Sequence, residues 1–375
     1  MKIIVFSWRD PKHSLAGGAE QVMHEHMKGW VAAGHEVTFF SSKVKDLPQR
    51  ETLNGIEIIR GGYQYLGVQI AGFFYWLQNR QNFDLIVDQF HGIPFFTPLY
   101  IRKPKLAVLQ EVAREVWLKN PLPWPLNWVI GLIGYFGEII VFQLYRKTPF
   151  MVGSDSAKED LIKMGIVGGN ITIISHGVII TKPRKIPQKE KKSTIVFLGA
   201  LTKDKGIEDA LRAFALLAKK GDYQFWVVGV AEDINYESRI MNYAKRLGIK
   251  DKTVFWGGRD KVSDKKKFEL LARAHVMVNP SIREGWGLVN IEANAVGTPV
   301  VAYKSPGLVD SVQDGKTGII CKENSPESLA KEISDLLSDK TKLERMKAGA
   351  RKWAESFSWN KSKKLSLDLI NSVVK

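Results

Sequence analysis

Pro280-Ser281-Ile282-Arg283-Glu284-Gly285-Trp286-Gly287-Leu288-Val289-Asn290-Ile291-Glu292-Ala293 is the stretch on which the reading of the whole chain turns. It follows a short apolar run, residues 275–278, and leads into a spacing that predicts a helix. Gly285 and Gly287 let a ligand approach the backbone closely. The helix start brings unpaired N–H groups and the positive end of a dipole, a combination that suits a diphosphate. Glu284 stands just before the helix and Glu292 within it, and eight helical residues rise about 12 Å. Carboxylates only accept, so two at that spacing suit hydroxyls at the two ends of a nucleotide sugar, one on the sugar and one on the ribose. The plainer alternative is two unrelated surface glutamates, but the strand–glycine–helix setting favours the functional reading.

Outward from this junction, short apolar runs alternate with helical stretches, which predicts βαβ units on parallel sheets. Strands are expected at residues 194–198, 224–228, 253–256, 275–278, 299–302 and 317–321, with helices at 207–219, 236–247 and 264–274. An earlier series has strands at 2–7, 36–40, 56–60, 84–88, 106–109 and 149–153, with a helix at 19–33 stopped by Gly34. Residues 181–192, rich in lysine and containing two prolines, read as a linker. The expected division is therefore 1–180, linker 181–192, 193–357 and a terminal helix at 358–375. Parallel sheets bind ligands beyond the carboxyl ends of their strands, so two such domains should face each other across a ligand cleft.

The 375 residues carry 55 Lys plus Arg against 39 Asp plus Glu, a formal net charge of +16. That balance favours anionic partners without choosing among them. For a single run such as Lys265-Lys266-Lys267, a solvated face is the expected reading. The one cysteine, Cys321, excludes an internal disulfide and a cysteine metal cluster, and suits a reducing compartment such as the cytoplasm. No Asp-x-Asp or spaced His/Asp/Glu set suggests a metal site, so no metal or other cofactor is expected. The opening run, residues 1–7, is too short for a signal peptide and reads as a first buried strand. Residues 63–78 and 121–145 are strongly apolar. The continuous part of the second, 128–142, holds Glu138 and is shorter than the roughly 20 residues of a bilayer span. Two readings stay open for it: a buried helix with a hairpin, or a surface that dips into an anionic membrane.

The stretch from Pro280 through Tyr303 (PSIREGWGLVNIEANAVGTPVVAY) resembles the signature of the family-4 type retaining glycosyltransferases, whose two Rossmann-like domains form the α/β fold called GT-B. The similarity continues through Ser305-Pro306-Gly307-Leu308-Val309-Asp310, Asp314-Gly315-Lys316-Thr317-Gly318 and residues 350–359. It spans nearly the whole chain and is more specific in the second half. The resemblance implies a nucleotide-diphosphate sugar as donor and a terminal helix that crosses back to the first domain. It also implies that Glu284 contacts the donor sugar, that Glu292 contacts the ribose, and that the backbone of Gly285, Trp286, Gly287, Leu288 and Val289 holds the diphosphate. Gly17-Gly18 matches the family's glycine loop, and Lys205, in the stretch from Gly199 through Lys203 to Gly206, matches its diphosphate lysine. A lysine there would stabilise negative charge on the leaving group. This chain departs from the family at Ala200, where arginine is usual, and Lys203, or an arginine from elsewhere such as Arg184, is a candidate substitute. It departs again at Ser175-His176, which replaces a proline–asparagine pair, and near Leu109-Gln110, where a histidine is common.

His91, just past the strand at 84–88, is a candidate for proton handling, with a hydrogen-bonded loop histidine as the plainer reading. His176 is a candidate cleft residue, whereas His24 and His26 are expected on a helix surface. The apolar segments and the basic charge together suggest a lipid or lipid-linked saccharide acceptor and a peripheral position on the cytoplasmic face of a membrane. Rival readings are an epimerase or phosphorylase on the same architecture, or a catalytically degenerate relative that binds nucleotide sugar, membrane or protein. A nucleic-acid binder is not expected, because no reading motif accompanies the charge.

Overall fold

The computed structural model describes every residue except 15, 65, 91, 121, 179–186, 232–233 and 259–260. It divides into two units: Met1–Gly177 together with Ser358–Lys375, and Val178–Phe357.

The first unit is built on an eight-stranded sheet. Its strands are β1 (Lys2–Phe6), β2 (Glu36–Ser41), β3 (Arg50–Leu53), β4 (Ile56–Arg60), β5 (Leu85–Phe90), β6 (Lys105–Leu109), β7 (Phe150–Val152) and β8 (Ile171–Ile173), in the order β3-β4-β2-β1-β5-β6-β7-β8. All pairs are parallel except β3 with β4. β1 is almost wholly buried, as a run of apolar residues covered on both faces should be. The order reverses between β1 and β5, so the loops that follow these two strands lie at the crevice where α/β sheets bind ligands.

Sequence reasoning missed β3 and β8. β3 is short, mostly polar and half-exposed, and ion pairs hold it at the edge beside the packing of Leu53. Its Glu51 pairs with Arg60 of β4 at 2.5 Å, and Arg60, itself buried, pairs with Asp10 at 2.7 Å.

The Gly18–Ala32 helix packs on this sheet and is covered in turn by the terminal helix, Trp359–Val374. Trp30, fully buried, donates its indole N–H to Ser366 Oγ at 3.1 Å, and Ser362 Oγ donates to the Ser175 carbonyl at 2.5 Å. His26 corrects its expected position: it is fully buried, its ring 5.7 Å from that of Trp359 and 6.3 Å from that of His176.

Among the described residues of 121–145 there is no hairpin. Their helix, Leu126–Leu144, has 19 residues, and large apolar side chains cover its outward face. Among the described residues it is one helix that is long and apolar enough, by length and composition, to cross a membrane.

The second unit has a six-stranded, wholly parallel sheet. β9 (Ser193–Leu198), β10 (Tyr223–Val230), β11 (Thr253–Gly258), β12 (Val276–Asn279), β13 (Val300–Ala302) and β14 (Gly318–Ile320) run in the order β11-β10-β9-β12-β13-β14. Each corresponds to a strand read from the sequence, shifted by one or two residues at its ends. Helices cover the sheet with apolar stripes; Ile207–Ala218 buries Ile207, Ala210, Leu211, Phe214 and Leu217 at three- and four-residue steps. Cys321 is buried just beyond β14, and burial pushes its thiol up to about 11. The described part of the segment read as a linker is held on this unit. Lys189 Nζ donates to the Ala274 carbonyl and to Thr298 Oγ1, and Glu190 pairs with Arg273 at 2.5 Å.

Candidate donor site

The strand order of the second unit reverses between β9 and β12, which puts the loops after these strands side by side at a ligand crevice. The loop after β9 runs from Gly199 to Gly206 and the loop after β12 from Pro280 to Gly287. Ile282 N–H donates to the Asp204 carbonyl at 2.9 Å, tying the two together. Gly206 makes the approach possible. It has φ +71°, and a Cβ there would stand 2.3 Å from the Pro280 carbonyl oxygen.

The result is that Lys205 Nζ lies 3.1 Å from Glu284 Oε1 and 3.6 Å from Asp204 Oδ2. Both long side chains are about one-fifth exposed, so the pair is open to a ligand. Lys203 is exposed on the same turn, and Gly199 is half-buried at its start. Glu284 is held from behind by a polar chain. Ser281 Oγ lies 2.9 Å from Glu284 Oε1 and 2.8 Å from Asn279 Oδ1, and its single proton serves either. Asn279 Nδ2 donates to Asn290 Oδ1, and Asn290 Nδ2 donates to Ser311 Oγ, each at 2.8 Å. Glu284 N–H donates to the Pro306 carbonyl at 3.1 Å. Sequence reasoning assigned none of these supporting residues. Asn279 and Asn290 are eleven positions apart, and helical or strand periodicity does not relate them.

Gly287, with φ +75°, caps the Leu288–Ala295 helix. The first N–H groups of a helix have no partner within it, so the amides beside Gly287, those of Leu288 and Val289, are presented for an anion. Gly285 is half-buried in the same loop. Trp286 is buried and packs edge-on against Phe357, with ring centroids 4.6 Å apart.

Glu292 lies within the helix, as read from the sequence, but the eight-residue step from Glu284 is not helical throughout. Glu292 is only four steps beyond Leu288 along the helix, a rise of about 6 Å, and Glu284 lies in the loop before it. Glu292 is buried and bonded to Lys267 Nζ at 2.6 Å, and Lys267 also meets Asp264 at 3.2 Å. Lys267 is therefore no member of a solvated run. Burial pushes the Glu292 carboxyl above its ordinary range and Lys267 draws it back. Burial likewise opposes charge on Lys267, but Glu292 and Asp264 more than offset that and keep it an ammonium.

Gly17 and Gly18 belong to the first unit, where Gly17 precedes the Gly18–Ala32 helix at the loop after β1. Gly17 N–H donates to Glu20 Oε2 at 2.7 Å. A Cβ on Gly17 would meet nothing closer than that oxygen, at 3.7 Å, so the chain itself leaves room there. His91 and Arg184 lie outside the described residues.

His176 is buried, with Nε2 3.0 Å from Gln110 Oε1. Burial lowers His176 to about 4 and His26 to about 3. Both fold neutral, with values below the unfolded one, so the stability they permit is complete above pH 6.5 and drains as pH falls toward 4. The expected slope is up to about 1.4 kcal/mol per pH unit for each histidine. Urea midpoints of wild type and His26→Phe between pH 7.5 and 5 test this: the variant should lose less stability over the range, and parallel curves would contradict it.

The family model described as "Glycosyl transferases group 1" matches residues 178–353, and that described as "Glycosyltransferase Family 4" matches residues 16–182. An uncharacterised glycosyltransferase of Methanocaldococcus jannaschii is 25% identical, over 96% of this chain and 95% of its own length. Sucrose-phosphate synthase from Thermosynechococcus elongatus has a similar structure, with a TM-score of 0.80 at 19% identity, covering 99% of this chain and 98% of the synthase. Anabaena HepE in complex with UDP-glucose has a TM-score of 0.75 at 18% identity, covering 99% and 100%. With both halves matched in order by the two family models, and the two parallel sheets matching solved glycosyltransferases, the chain belongs to the family-4 type glycosyltransferases of the GT-B fold.

Proposed function

We propose that the protein moves a sugar from a nucleotide-diphosphate donor to an acceptor hydroxyl with retention of anomeric configuration and without a metal ion. The observation that carries this reading is the Lys205–Glu284 pair, 3.1 Å apart at the carboxyl ends of β9 and β12 and next to a helix N-terminus. A donor diphosphate competes with Glu284 for Lys205. Once Lys205 turns to the phosphate, Glu284 is released to accept hydrogen bonds from sugar hydroxyls. Lys205 and the helix amides then meet the negative charge that grows on the leaving diphosphate, the task a divalent cation performs elsewhere. Glu292, oriented by Lys267, accepts from the ribose hydroxyls. In the reaction the bond from the anomeric carbon to the phosphate oxygen breaks, and the bond to the acceptor oxygen forms on the same face. The acceptor proton passes to the departing phosphate oxygen. The sequence offers no evident enzymatic nucleophile, which favours this front-face course over a covalent intermediate. Positioning and charge stabilisation supply the rate.

The acceptor in this reading is a lipid or lipid-linked saccharide met at the cytoplasmic face of a membrane. The exposed apolar helices of the first unit and the +16 charge support it.

A thermal-shift screen with uridine, guanosine and adenosine diphosphate sugars tests the donor part. At roughly 100 times Kd a ligand adds about 2.7 kcal/mol, enough to read as a shift of several degrees. One base class is expected to stabilise the protein, and transfer with that donor is expected to persist in EDTA. No shift with any donor, or activity abolished by EDTA and restored by magnesium, would overturn the corresponding part. Turnover of donor in the absence of any acceptor would point instead to an epimerase.

A further inference from the structure

The Leu126–Leu144 helix is inverted in its amphipathicity. The positions turned toward its own unit are Asn127, Gly131, Gly134, Glu138 and Phe142, at helical steps of three and four and all buried or half-buried. They are mostly small or polar. Glu138 accepts from the Ala113 and Arg114 N–H groups at 2.8 and 2.7 Å. Gly134 is where Trp117 rests: a Cβ there would stand 2.2 Å from its ring. The outward positions are the large apolar ones, with Ile133 62%, Phe136 61% and Ile140 68% exposed. Glu138 is the one ionisable group of the helix apart from the Tyr135 phenol, and it faces inward. A surface helix in water is arranged the other way round. Trp124 and Trp128 stand exposed at its N-terminal end, and a second apolar stripe, Leu66, Ile70, Phe74 and Leu77, is exposed on the Leu66–Asn79 helix of the same unit.

At the C-terminal end of the inverted helix lies an open groove of about 680 Å³. Arg102, Lys103, Lys105, Arg146 and Lys147 line it, and its lining includes no carboxylate. An apolar face running into a groove whose charged side chains are all cationic matches the order of layers at a phospholipid surface, acyl chains first and phosphates next.

We propose that the outward face of the Leu126–Leu144 helix beds in the interfacial layer of an anionic bilayer, with the groove at its end receiving headgroup phosphates. The inference rests on the membrane-acceptor part of the proposed function and is independent of the donor chemistry. The helix lies flat rather than crossing, because Gly131, Gly134, Glu138 and Phe142 fasten it along its length. A second copy of the chain is a poorer occupant. A two-fold interface would set five cations beside the same five on a protein already at +16.

Co-sedimentation with phosphatidylcholine vesicles, and with phosphatidylcholine–phosphatidylglycerol vesicles at low and high salt, tests the proposal. The full chain should bind the anionic vesicles at low salt, release them at high salt and ignore the neutral ones. Arg146→Ala/Lys147→Ala should weaken binding by on the order of 20-fold, at about fivefold per charge. Ile133→Glu/Ile140→Glu should abolish it. Both variants alter exposed side chains, and circular dichroism and the donor thermal shift should match wild type. Absence of anionic-vesicle binding, equal binding to both vesicle types, or unchanged binding by Ile133→Glu/Ile140→Glu would overturn the proposal. So would a dimer in light scattering that this variant dissolves without any vesicle binding by the wild type. A donor screen that fails while vesicle binding persists would sink the donor reading and leave this one standing.

Discussion

Glu284→Ala is expected to lower kcat/KM for transfer by on the order of 1,000-fold while the protein stays folded and still binds nucleoside diphosphate. The stability cost is small because the Lys205 pair is partly solvated, and such pairs are worth about 1 kcal/mol or less. Binding of the diphosphate should hold or tighten, since Lys205 loses its 3.1 Å competitor. Binding of the sugar portion, and above all its transition state, should suffer. This opposed pair of effects separates the assigned role from a merely structural one. A structural glutamate would lower stability, diphosphate affinity and rate together. Glu284→Gln keeps the shape and a contact with Ser281 but loses the charge, so it should fall between. Full activity in Glu284→Ala, measured by donor consumption and product formation, would remove the central residue of the account.

Gly307→Ala is expected to destabilise the second unit by about 2–4 kcal/mol and to cost activity as well. Gly307 has φ +77°, and a Cβ would stand 2.1 Å from the Glu284 carbonyl oxygen and 3.0 Å from the Glu284 Cβ. The φ alone costs about 1–2 kcal/mol in a residue with a side chain, and the remainder is the collision. Gly315 is the control. Its φ is +73°, and nothing stands within 4 Å of the position a Cβ would take. Gly315→Ala should therefore carry the backbone cost alone and leave transfer intact. Equal melting losses for the two variants would show that the crowding at Glu284 is relieved at no cost.

The alternation of strands and helices was legible because the inner β-strands of the second unit, such as β9 and β12, are short apolar runs that are largely buried, and such runs declare themselves without knowledge of their neighbours. Glu284 and the Gly287 turn were legible because they stand between an apolar run and a helical spacing, whereas Lys205 was singled out only by the family resemblance. What stayed hidden depends on partners far away in the chain. His26 looked like a surface residue until Trp359 and His176 closed over it. Lys267 looked like one of three solvated lysines until Glu292 met it across 25 positions. β3 was invisible because Glu51, Arg60 and Asp10 hold it by charge, a pattern with no period. The exposure of the Leu126–Leu144 helix was undecided in the sequence, since an apolar run reads alike whether protein or lipid is to cover it.

The first unit is assembled from two pieces of chain, Met1–Gly177 and Ser358–Lys375, with the whole second unit between them. A ribosome reading this message finishes Val178–Phe357 before it supplies the segment that covers Trp30 and His26. The earlier-made portion must therefore wait, its helix Gly18–Ala32 lacking a lid, while the later-made portion condenses. Synthesis order and folding order are thus uncoupled, and a nascent chain halted near Phe357 would carry a finished second unit and an unfinished first one.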